Sequence, residues 1–166
     1  VIGCYIYNNM TRNELKKLVR QCLCEVYLNI DEGAILNAQD TAENIRDKFK
    51  QFYTSSEAEI AKQNPFDGEY TKESIEKLED WINRQFFYKL YKNESPVVIM
   101  FGELSSNVDG VYRAIDGGKS GAILLNTFRF LVTKSGDKYK IIPPNEFDYD
   151  EFSTTLEHEL MHAEQH

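Results

Sequence analysis

Apolar residues recur at helical spacing through the first half of the chain. Leu15, Leu18, Val19, Cys22, Leu23 and Val26 mark a helix from Thr11 to about Asn29, with Thr11 and Glu14 as a capping box. Ile45, Phe49, Phe52 and Tyr53 mark a second, from Thr41 to about Gln63, with Thr41/Glu44 as its box, and Asn64-Pro65-Phe66-Asp67-Gly68 ends it. A third runs from Thr71 to about Lys92, buried through Ile75, Leu78, Trp81, Ile82, Phe86, Leu90 and Tyr91.

After Pro96 the period changes. Val97 to Phe101 is a short continuous apolar run, expected as a buried strand. Val111–Ile115 and Gly121–Asn126 read as two further strands, separated by the glycine turn Asp116-Gly117-Gly118. Alternation at Phe128, Phe130 and Val132 predicts that the chain stays extended from Thr127 to Thr133. Ser135-Gly136-Asp137 then turns it back along Tyr139–Ile142. Pro143-Pro144 stops this strand, and a last helix starts near Asp148, where Asp148 and Glu151 form a capping box. The expected fold is α+β in one domain, 1–166. Helices fill 1–95; a small mixed sheet and a C-terminal helix fill 96–166.

That last helix carries the chemistry. His158-Glu159-Leu160-Met161-His162 has the H-E-x-x-H spacing. Residues four apart share a helix face, so His158 and His162 can both reach one metal ion, zinc (Zn2+) by preference. Glu159 projects beside them without binding the metal. From there it can act as general base toward water activated at the ion. Phe152, Leu156, Leu160 and Ala163 form an apolar stripe for docking, and the histidines form a separate stripe expected to face solvent and metal. All three histidines of the chain lie at 158, 162 and 166. His166 is thus a candidate third ligand. It lies roughly 12 Å from His158 along a straight helix, so it could join only if the helix bends or ends after Ala163. A residue beyond the present end, or an upstream Cys or carboxylate, is the alternative.

The segment Val97–His166 resembles the zincin metallopeptidases, and His-Glu-Leu-x-His-Ala-x-Gln is similar to the SprT-like group and to small bacterial and phage zincins. The resemblance implies a mixed sheet packed on the active helix, with an edge strand binding peptide or protein substrate in extended form. Gly121–Asn126 looks like that strand. Gln165 stands where the metzincin continuation has Gly, and no downstream glutamate ligand of the thermolysin type is present.

Composition narrows the partners. The net charge of -8 argues against the DNA association of many SprT-like proteins. No run approaches a membrane span, and no signal peptide is visible. Cys4, Cys22 and Cys24 make a poor disulfide set and fit a cytoplasmic location. The first residue is not Met, and the last residues continue a helical pattern, so both ends are expected to be cut. Asp116-Gly117-Gly118-Lys119-Ser120 lacks the upstream glycine of a phosphate loop, because Arg113 stands there. Trp81, Phe86, Phe87 and Tyr88 are expected in the core, and Glu103 is expected as a surface carboxylate. Two other readings fit the motif: a non-catalytic zincin-fold module of a larger assembly, and a hydrolase of non-peptide amides.

Overall fold

The computed structural model describes residues 32–90, 97–115, 117 and 120–164. The expected first helix, the three cysteines, the strand-connecting residues 116, 118 and 119, and His166 lie outside them.

Helix α1 (Glu32–Ser55) is followed by α2 (Glu57–Gln63) and α3 (Lys72–Ile82). Thr71 caps α3, its hydroxyl accepting from Ser74 N. A π-helical turn, Asn83–Phe87, runs on into α4 (Tyr88–Leu90). Strands β1 (Val97–Gly102), β2 (Gly110–Ile115) and β3 (Ser120–Asn126) come next. Helix α5 (Thr127–Phe130), strands β4 (Val132–Ser135) and β5 (Lys138–Ile141), and helix α6 (Tyr149–Glu164) complete the order. The α+β class and the order of helices, mixed sheet and C-terminal helix are as expected.

The three-stranded sheet has the order β1-β3-β2, with β3 parallel to β1 and antiparallel to β2. Gly121–Asn126 is therefore the central strand, not an edge. Its backbone is paired on both sides, so it has no groups left for a bound peptide. Among the described strands, one edge position belongs to β2. The other edge is closed by a side chain: Asn83 donates from Nδ2 to Phe101 O at 2.9 Å and accepts from Phe101 N at 2.8 Å. This amide copies the pairing of a further strand on β1 and blunts that edge.

Three local expectations shift. α1 starts well before Thr41, which sits in mid-helix rather than at a cap. The segment after β3 does not stay extended, because the Asn126 side chain accepts from Phe128 N at 3.2 Å and starts the turn of α5. β1 alternates, with Ile99 and Phe101 buried while Val98 is exposed, so the sheet is covered on one face.

The core centres on Phe49 of α1. Its ring centroid lies within 6.5 Å of those of Phe52, Tyr53, Phe86, Phe87, Phe101, Phe147, Tyr149 and Phe152. One apolar cluster joins residues of α1, α3, the sheet and α6. Trp81 packs against it, whereas Tyr88 is exposed, contrary to expectation. Glu103 pairs with Lys72 at the surface. Gly117 has φ +67°, the left-handed backbone expected of a glycine turn. Among the described residues, no helix is long and apolar enough to cross a membrane.

Candidate metal centre

The chain enters α6 through Pro143-Pro144, and the first turn is tied down locally. Asp148 Oδ1 accepts from Glu151 N at 2.9 Å, and Tyr149 donates its hydroxyl to Pro144 O at 2.8 Å. Asp148 thus caps the helix as the sequence predicts. Asp150 and Glu151 put negative charge at the positive end of its dipole.

α6 is more enclosed than an amphipathic surface helix. It lies between α1 on one side and β2 and β3 on the other. Ser153, Thr154, Thr155, Glu157 and Glu159 are buried along with Phe152, Leu156 and Met161. The expected free polar face therefore shrinks to a narrow strip holding the half-buried His158 and His162. Periodicity alone could not show this, because Ser and Thr read as polar while packing like small residues.

On that strip the two imidazoles converge. His158 Nε2 and His162 Nε2 are 3.1 Å apart, with the rings perpendicular at 90°. At this separation the nitrogens can share one proton or one cation. Two nitrogens at 2.0–2.1 Å from one tetrahedral ion would stand about 3.3–3.4 Å apart. The pair thus fits zinc after a small adjustment. Among the described residues, no third His, Cys, Asp or Glu joins them in a metal-sized group.

Glu159 is 6% exposed and sits on the sheet side of the helix. A Cβ built on Gly110 at the start of β2 would lie 3.4 Å from Glu159 Cγ and 2.7 Å from Thr155 Cγ2. The glycine is what lets the strand approach the motif so closely. A pocket of about 250 Å³ opens here, walled by Asn107, Val108 and Asp109 of the loop before β2, by Gly110 at its start, and by Thr155, His158 and Glu159 from the helix.

The wall is held by a residue that sequence reasoning missed. Asn126, 1% exposed, accepts through Oδ1 from Leu104 N and Phe128 N and donates through Nδ2 to Ser105 O (3.1 Å) and Val108 O (2.8 Å). Its backbone N–H donates to Asp109 O at 2.9 Å, and Asp109 is paired with Arg129 at 3.0 Å. The one available signal was an Asn ending an apolar strand, a residue type that bonds nearby backbone. The Asn126–Asp109 bond also sets the alternation along β2. It turns the backbone groups of Gly110 and Ala114 to the outer side of the strand.

The chain matches no family model, no curated protein and no solved structure.

Proposed function

We propose that this chain is a zinc-dependent peptidase of the zincin kind, with His158 and His162 as metal ligands, Glu159 as general base and His166 as a candidate third ligand. The observation that carries the reading is the 3.1 Å approach of the two imidazole nitrogens beside a buried carboxylate that lines a pocket. Zinc bound there would supply Lewis-acid polarisation of the substrate carbonyl and make water acidic enough to react near neutral pH.

The protein's own groups do the rest. A Glu159 carboxylate oxygen takes the proton of the attacking water and passes it to the departing nitrogen. The outer edge of β2 replaces Gly121–Asn126 as the surface for an extended peptide. Gly110 and Ala114 offer it backbone hydrogen bonds, and Gly110 brings it against Glu159. The Asn126-tied loop fixes the opposite wall. Helix α1 and the sheet, by enclosing α6, keep the ligand face rigid. The composition favours a cytoplasmic setting and a protein or peptide partner over nucleic acid.

Casein hydrolysis by the zinc-supplied protein tests this, with Glu159→Gln alongside. Wild type is expected to cleave, and the variant to keep its zinc while losing about 10²–10⁴-fold in rate. Equal cleavage by both proteins would remove Glu159 from the mechanism.

A further inference from the structure

Thr154 and Thr155 are neighbours on α6, both buried, yet their hydroxyls are treated differently. Thr154 Oγ1 donates back to Asp150 O at 2.7 Å, the usual outlet for a helical hydroxyl. Thr155 Oγ1 has no hydrogen-bond partner among the described residues, though the residue is 3% exposed. A buried hydroxyl without a partner is destabilising, because it has lost its water without gaining a hydrogen bond. Such a group calls for a compensating role in another state of the protein.

Its surroundings indicate that role. Thr155 stands one turn before Glu159 on the same helix face. Both side chains pack against Gly110, whose missing Cβ would touch Thr155 Cγ2 and Glu159 Cγ. Both line the same pocket with His158. The contact of the Thr155 methyl with Gly110 limits rotation about its Cα–Cβ bond, so the hydroxyl is held in place. A carboxylate has lone pairs enough to accept from this donor in addition to its other contacts.

We infer that Thr155 is a positioning residue for Glu159: its hydroxyl donates to the Glu159 carboxylate when that group turns to a ligand in the pocket. This rests on the zinc-site reading and adds a residue outside the H-E-x-x-H motif. Thr155→Val keeps the shape and removes the donor, whereas Thr155→Ser keeps the donor and removes the methyl.

The test compares wild type, Thr155→Val and Thr155→Ser in three measurements: thermal midpoint without metal, zinc content, and affinity of the zinc-supplied protein for acetohydroxamate. Thr155→Val is expected to melt no lower than wild type and to hold as much zinc, yet to bind acetohydroxamate ~10-fold or more weakly, the scale of one hydrogen bond to a charged group. Thr155→Ser is expected to stay close to wild type in affinity. Undiminished acetohydroxamate binding by Thr155→Val, with zinc present, would overturn the inference and leave the metal-site reading standing. A markedly lower midpoint in Thr155→Val would assign the hydroxyl to the fold instead. Absence of zinc from wild type would overturn both.

Discussion

His158 Nε2 and His162 Nε2 face each other at 3.1 Å across a single turn of a helix that is otherwise closed in by α1 and the sheet. The spacing of four brings the rings to one side of α6. The buried Glu159 lies next to them, against the first residue of the edge strand. The proposed ligands, the proposed base and the strand edge are thus positioned by α6 and its contact with β2.

Gly110 is a close point of that contact. Gly110→Ala is expected to destabilise the fold by about 1–3 kcal/mol, because the added methyl meets Thr155 Cγ2 at 2.7 Å. Combining it with Thr155→Ser, which deletes the opposing methyl, is expected to recover part of that loss. Urea unfolding of both single variants and the double gives the coupling. Strict additivity would mean that the two residues do not press on each other.

Asn126→Ala removes all four hydrogen bonds made by one buried amide. The expected loss is about 2–4 kcal/mol, the range for several backbone groups left unsatisfied. Activity should fall further than stability explains, because the loop it ties down forms one wall of the pocket. Urea unfolding and peptidase rate, measured on the same samples, separate the two effects.

Glu79 carries a pH signature. Burial raises its carboxyl above the usual range, and this outweighs the opposing effect of the Thr127 hydroxyl, which donates to it at 2.5 Å. A raised folded-state value means that the native protein holds the proton longer than the unfolded chain. Stability is therefore lost as pH rises from the ordinary carboxylate value through the raised one. Glu79→Gln keeps an acceptor for Thr127 and is expected to be more stable than wild type at pH 7. The advantage should vanish below about pH 4. Thermal melts across pH would show it, and a constant difference at every pH would count against the assignment.

Much of this was legible in the chain. Asp148 as a cap, α6, the three strands of the sheet and the H-E-x-x-H face follow from local rules of spacing and capping. What was not legible depends on long-range pairing. Nothing local to Gly121–Asn126 shows that two strands flank it, or that Asn83, from a different element, occupies the outer edge of β1. Asn126 bonds a loop distant in sequence and Thr155 packs against Gly110 of β2, so their surroundings emerge only once β2, β3 and α6 are packed together. The burial of Ser153 and Glu157 was hidden for the same reason: their polarity points outward until a second layer covers them.

Bound zinc per chain, by elemental analysis of wild type, His158→Ala and His162→Ala after zinc is supplied and excess removed, tests the central claim most directly. The account predicts close to one zinc per wild-type chain and a large loss in each variant, since each removes one of two converging nitrogens. Wild type without zinc, or variants that retain it fully, would contradict the account.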